Sequence, residues 1–94
     1  MAGERLLEGR VVLITGAGSG LGRAAALQFA RHGAAVAVVD IDGDRADEVA
    51  DLIEDAGGEA APLRADVSLG IACEQVVGRT LAWFERLDVL YNNA

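Results

Sequence analysis

Lysine is absent from this chain. All eight basic residues among the 94 are arginines, against fifteen acids, and the net charge is −7 with a pI near 4.4. Such a chain meets the phosphates of a nucleic acid with a repulsive field, which argues against a nucleic-acid partner. It does not argue against a dinucleotide, which is held by local backbone donors. Cysteine occurs once, at Cys73, which rules out an internal disulfide framework and fits a reducing compartment. Proline also occurs once, and 52% of the residues are hydrophobic, which excludes a disordered chain. No apolar run is long enough to span a bilayer. The stretch Met1-Ala2-Gly3-Glu4-Arg5-Leu6-Leu7-Glu8 places acids where a signal peptide needs a basic start and an apolar core. The expectation is a cytoplasmic protein with no membrane partner, forming one small domain or part of one.

Glycine, by contrast, is concentrated where it can carry chemistry. Thr15-Gly16-Ala17-Gly18-Ser19-Gly20-Leu21-Gly22 follows the apolar run Val11-Val12-Leu13-Ile14 and opens into Arg23-Ala24-Ala25-Ala26-Leu27-Gln28-Phe29-Ala30-Arg31. This reads as a buried parallel strand, a turn and a helix. Gly16 allows a tight turn off the strand, Gly20 lets a bulky anion approach the backbone, and Gly22 lets the new helix pack closely on the strand it has left. Unpaired N–H groups and the positive end of the helix dipole favour a phosphate there. The general G-x-G-x-x-G fingerprint needs a third glycine at position 21, which is Leu21; the spacing that stands is Gly16-x-x-x-Gly20-x-Gly22. A second apolar run, Ala34 to Val39, ends on Asp40, 24 residues after Gly16, near the spacing of a ribose-binding acid. A carboxylate there accepts hydrogen bonds from both adenosine ribose hydroxyls and repels a 2′-phosphate, so NAD is favoured over NADP.

The remaining pattern alternates strand and helix. Strands are expected over residues 10–15, 35–40, 59–65 and 87–92. The first helix covers 20–32, with Leu21, Ala25 and Phe29 on one face and Gly33 at its C-cap. Asp42 or Asp44 caps the second, whose buried face is Ala46, Val49, Ala50 and Ile53 and which Gly57-Gly58 stops. Pro62 suits an edge strand. Ser68 is the expected N-cap of the third helix, with Cys73, Val77, Leu81 and Phe84 on its buried face. Cys73 is expected as a buried small apolar residue, Trp83 as partly exposed cover, and His32 as a non-catalytic residue at a helix C-terminus. The alternation implies an α/β fold, a parallel sheet with helices on both faces and strand order 3-2-1-4.

At this point the chain resembles the short-chain dehydrogenases/reductases. Thr15 to Gly22 is similar to their T-G-x-x-x-G-x-G motif, Asp66-Val67 to their adenine-contacting Asp-Val pair, and Asn92-Asn93-Ala94 to the start of their N-N-A-G motif. The resemblance implies the N-terminal part of an NAD(P)-binding, Rossmann-like doubly wound domain over residues 10–94, with residues 1–9 as a lead-in. The implied cofactor-binding residues are Gly16, Ser19, Gly20, Leu21, Gly22, Asp40, Asp66, Val67 and Asn93. Asp66 either accepts from the adenine amine or bonds local backbone N–H groups. Ser19 either bonds the cofactor or caps the helix. Asn93, ahead of Asn92, either meets the ribose side of the cofactor or ties strand four to neighbouring backbone.

The implied reaction is hydride transfer between nicotinamide and a carbinol or carbonyl carbon of a small molecule. In the family a tyrosine, a lysine four residues on and a serine handle its proton. The one tyrosine is Tyr91, and no lysine follows it; it reads as a strand residue, and no catalytic residue is expected in these 94. The expectation is therefore an inactive fragment of a longer enzyme, whose oligomer forms through later helices. Strand four is left with an open apolar edge. Two other readings are a non-catalytic nucleotide-binding fragment and an S-adenosylmethionine-dependent methyltransferase domain. The latter also uses a glycine turn and a strand-two acid, but the Thr-Gly spacing and Asn-Asn-Ala disfavour it. No metal site is expected.

Overall fold

A computed structural model describes residues 5–93. Its elements are β1 (Val11–Thr15), α1 (Gly20–Arg31), β2 (Ala35–Asp40), α2 (Gly43–Asp55), β3 (Glu59–Arg64), α3 (Gly70–Phe84) and β4 (Val89–Asn92). They form one parallel sheet in the order β3-β2-β1-β4, as the alternation predicts. The central strands carry continuous apolar runs because both sheet faces are covered. On one face Val12, Ile14, Val36 and Val38 pack against Ala26 of α1 and Ala46, Val49, Ala50 and Ile53 of α2. On the other, Leu13, Ala37, Val39 and Leu63 meet Val76 of α3. Pro62 lies on edge strand β3, opposite Val38, where its missing N–H costs least.

Helix ends follow local chemistry. Asp42, not Asp44, caps α2: its Oδ1 accepts from the N–H groups of Asp44 and Arg45 at 3.0 and 3.3 Å. Both α1 and α2 end on a glycine at positive φ, Gly33 and Gly57. In α2, Gly58 N–H bonds Ile53 O and Gly57 N–H bonds Glu54 O, satisfying carbonyls the helix leaves over.

Several expectations are corrected. Ser68 does not cap α3; Leu69 holds that position without a side-chain bond. The Ser68 hydroxyl donates to Asp66 Oδ1 instead, at 2.6 Å. In α3 the fully buried residues are Val76 and Thr80; of the expected face, Val77 and Phe84 pack partly buried against the core, while Cys73 and Leu81 are exposed. Apolar residues surround this helix, so their spacing does not single out one face. Thr80 is buried because its hydroxyl donates to Val76 O at 2.7 Å, removing the cost of an unpaired polar group. Cys73 lies outside the core with its thiol directed at Val67 O, 3.1 Å away. In α1 the buried residues are Gly22 and Ala26, and Leu21 is 77% exposed. Of the expected face, Ala25 and Phe29 are partly buried and pack against the core, and Leu21 is the member that stands out into solvent. Trp83 is 58% exposed, in keeping with its expected role as cover.

One fastening at the lower end of the sheet has no counterpart in the sequence reading. Asp88 Oδ2 accepts from Val11 N–H at 2.8 Å, and Asp88 N–H returns a bond to Val11 O at 2.9 Å. Arg86 clamps the same carboxylate with two bonds at 2.9 and 2.7 Å, and Arg10 stands 3.6 Å away. The Arg86 bonds, with the Val11 amide, pull the Asp88 carboxyl down to about 2. This pairing fixes β4 against β1. On its other side β4 is the sheet edge, with Leu90 57% exposed.

Candidate functional site

The carboxyl ends of the strands and the loops that leave them surround a cleft of about 590 Å³. It lies where connections depart to opposite sides of β1, the place at which open α/β sheets bind ligands. Its size falls within the ordinary range of small-molecule sites, roughly 300–1,000 Å³.

The glycine turn forms one wall. Gly16 and Gly20 both hold positive φ, at 62° and 58°, a conformation costly to residues with a Cβ. A Cβ at Gly20 would meet no atom within 4 Å, so the backbone there faces open space. A Cβ at Gly22 would lie 2.1 Å from Gly16 O and 2.7 Å from Asn93 Nδ2. Gly22 is thus the packing glycine beneath the turn and does not itself line the cleft. Ser19 holds the N-cap position of α1 in extended backbone, but its side chain makes no cap bond and no acid occupies the first turn. The amides and positive dipole end at Gly20 to Gly22 are therefore not neutralised by the helix's own residues.

Asp40 closes the second wall. Only 8% of it is exposed, and its two oxygens point different ways: Oδ2 accepts from Gly18 N–H at 2.8 Å, Oδ1 from Asp42 N–H at 2.9 Å. Each carboxylate oxygen has a second lone pair, so acceptor capacity remains on the cleft side. Ala17 N–H adds a bond to Val39 O at 3.0 Å. The glycine turn and the end of β2 are consequently one rigid unit.

The third wall comes from Asp66 and Val67 after β3. Asp66 Oδ1 accepts from both the hydroxyl and the N–H of Ser68, at 2.6 and 3.1 Å. These bonds, the hydroxyl's first, hold the Asp66 carboxyl below the usual carboxylate range, so it is ionised near neutral pH. Asn93 closes the cleft beyond β4. Its side-chain N–H donates to Gly16 O at 3.3 Å, its backbone N–H to Thr15 Oγ1 at 3.0 Å, and the Thr15 hydroxyl donates to Asn92 Oδ1 at 2.9 Å. The structural role of Asn93 is thus present in full.

Of the nine residues singled out in the sequence, eight line the cleft and Gly22 supports it. Two participants escaped the sequence reading. Gly18 belongs to the glycine turn, and its N–H holds Asp40, a bond that glycine spacing alone does not signal. Arg45, on the first turn of α2, lines the cleft beside Ile41, and nothing in its sequence neighbourhood signals that. Tyr91 sits on β4 with its ring edge-on to Phe29, centroids 6.0 Å apart, as a packing residue. Among the described residues no cluster of metal-ligating side chains occurs, and no helix is long and apolar enough to cross a membrane.

Comparison with known proteins agrees with this architecture. The family model for short chain dehydrogenase matches residues 10–94. An uncharacterized oxidoreductase of Thermotoga maritima is 51% identical over 87 residues, 93% of this chain and 34% of that protein. The 7alpha-hydroxysteroid dehydrogenase of Escherichia coli is 38% identical over 88 residues, again 34% of its length. A crystal structure of hydroxysteroid dehydrogenase from Escherichia coli superposes with a TM-score of 0.93 at 35% identity, covering 100% of this chain and 40% of that one. The chain thus spans about a third of the length of these curated relatives. With the glycine turn, the strand-end acid and the parallel sheet in the family's arrangement, the chain belongs to the short-chain dehydrogenases/reductases.

Proposed function

We propose that these residues form the NAD-binding portion of an oxidoreductase that interconverts an alcohol and a ketone on a small molecule. The observation that carries the reading is Asp40, buried at the cleft wall and tied to the glycine turn by Gly18 N–H. The open backbone at Gly20 and the uncapped amides of α1 suit a pyrophosphate. Asp40, with lone pairs to spare, suits the two ribose hydroxyls and disfavours a 2′-phosphate, hence NAD over NADP. Asp66 Oδ2 takes no bond among the described residues and suits the exocyclic amine of adenine, with Val67 as an apolar wall. Ser19 and Leu21 border the pyrophosphate, and Asn93 the ribose side. When bound, the dinucleotide supplies the hydride acceptor or donor.

The role of this chain is to bind and orient. Its single tyrosine is engaged in packing and it has no lysine, so proton transfer to or from the substrate is assigned to residues outside these 94. Within them, preorganised amides and carboxylates fix the dinucleotide without rearrangement at the moment of binding. The cellular setting that suits a single exposed thiol is the cytoplasm, and the working form of the full enzyme is taken to be a homo-oligomer.

Calorimetric titration of the 94-residue chain with NAD, NADP and S-adenosylmethionine tests this. The expected order is NAD, then NADP, with no heat from S-adenosylmethionine. Preferential binding of S-adenosylmethionine, or of neither dinucleotide, contradicts it.

A further inference from the structure

We propose that Ser68 is a positioning residue for the base end of this cleft: its hydroxyl turns the Asp66 carboxylate so that one oxygen faces an amino-bearing purine, and it thereby sets a preference for adenine over hypoxanthine. The proposal rests on the dinucleotide reading of the cleft. Asp66 and Ser68 both line the cleft, and both are exposed. An exposed aspartate ordinarily moves between rotamers, and ordering it when a ligand binds costs side-chain entropy. Here the carboxylate is already held. Oδ1 accepts from the Ser68 hydroxyl at 2.6 Å and from the Ser68 N–H at 3.1 Å. Two donors on one oxygen fix the plane of the group, and Oδ2 takes no bond among the described residues. The hydroxyl has a single proton to give. It goes to Asp66, while the N-cap position of α3 falls to Leu69, which makes no side-chain bond. A serine beside a helix N-terminus thus serves the acid and not the helix.

The exocyclic amine of adenine donates to a carboxylate oxygen. Hypoxanthine carries a carbonyl at the same place, which cannot. A site built around an acceptor rejects the analogue that lacks the donor, provided the acceptor is held in place. The path of the loop does not depend on the Ser68 hydroxyl. Leu69 N–H bonds Asp66 O at 3.1 Å, and the Cys73 thiol bonds Val67 O at 3.1 Å. Ser68→Ala therefore keeps the loop and loosens the carboxylate.

The test compares the 94-residue chain with Ser68→Ala and Ser68→Thr, titrated with NAD and with nicotinamide hypoxanthine dinucleotide, which differ only in the base. Circular dichroism checks that both variants fold. Ser68→Ala is expected to weaken NAD about fivefold, the scale of one hydrogen bond, with the hypoxanthine dinucleotide unchanged within about twofold, so that the preference narrows. Ser68→Thr keeps the hydroxyl and the preference. In an Asp66→Ala background the preference is already lost and Ser68→Ala changes neither affinity further, because the serine acts through the acid. Equal losses for both nucleotides, no loss for either, or a Ser68 effect that survives without Asp66 overturn the role of Ser68 while leaving the site intact. Equal binding of both nucleotides by the unsubstituted chain overturns the base contact of Asp66, and this proposal with it. Failure of that chain to bind either nucleotide overturns the dinucleotide reading itself.

Discussion

Gly18 and Asp40 are joined across the cleft wall by a 2.8 Å bond from the glycine's N–H to Oδ2 of the acid. The other oxygen of Asp40 holds Asp42 N–H at 2.9 Å, at the cap of α2. One buried carboxylate therefore aligns the phosphate turn, the end of β2 and the start of the next helix. Asp40→Ala leaves two amides without their acceptor, each a loss of about 1–3 kcal/mol when the donor stays buried. It is expected to weaken NAD at least tenfold, to weaken NADP less, and so to narrow the ratio between them. Parallel titrations and thermal melts check this; an unchanged ratio counts against the ribose role.

Gly22 and Gly20 carry different constraints and predict different failures. At Gly22 an added methyl group meets Gly16 O at 2.1 Å, backbone against backbone. Gly22→Ala should cost about 1–3 kcal/mol of stability, the scale of overpacking, read as a lowered melting temperature. At Gly20 there is room, and the strain of φ 58° alone applies, about 1–2 kcal/mol. The new methyl group stands where the anion approaches, so Gly20→Ala should lose nucleotide affinity out of proportion to its stability.

Asp88 predicts a pH dependence. Its carboxyl is lowered from 3.8 to about 2 in the folded chain by Arg86 and the Val11 amide. A depressed folded value stabilises the fold at all pH above the unfolded value and ceases to do so as pH falls through the folded one. Asp88→Asn should therefore melt lower than the parent by a constant margin above about pH 4, and the margin should close between about pH 4 and pH 2. A margin independent of pH throughout that window refutes the assignment.

The edge strand predicts association. β4 has no partner strand beyond it among the described residues, and Val89, Leu90 and Tyr91 are 38%, 57% and 36% exposed. An apolar, uncharged edge invites pairing with another chain. Sedimentation of the 94-residue polypeptide should show concentration-dependent association that Leu90→Lys reduces without loss of helix signal. A monomeric, two-state melt at high protein concentration contradicts this.

The residues legible in the sequence were those whose meaning is local. The glycine spacing, the acid ending the second apolar run and the alternation of elements needed no tertiary information, and all appear in the sheet order and the cleft. What was not legible depends on approach between distant segments. Gly22 of α1 is buried because it closes on Gly16 O, a contact invisible to helical periodicity, whereas Ala25 and Phe29 pack on the core as their spacing predicts. The burial of Thr80, a polar residue, depends on a bond back to Val76 O that its type and spacing do not announce. Ser68 looks like a cap by type, yet Asp66, two residues away, competes for its hydroxyl and wins. Arg45 and Asp88 owe their places to segments 27 and 77 residues distant, the glycine turn at Gly18 and the strand at Val11, respectively.

The central claim is that the amides at the start of α1 and the carboxylate of Asp40 together hold a dinucleotide. The most direct test is a nuclear magnetic resonance titration of isotope-labelled chain with NAD, following the amide signals of residues 18–22 and the side-chain carboxyl carbon of Asp40. Saturable shifts at both, with Glu59 and Asp88 at the far end of the sheet unmoved, are the predicted result. Shifts confined to other residues, or none at all, contradict it.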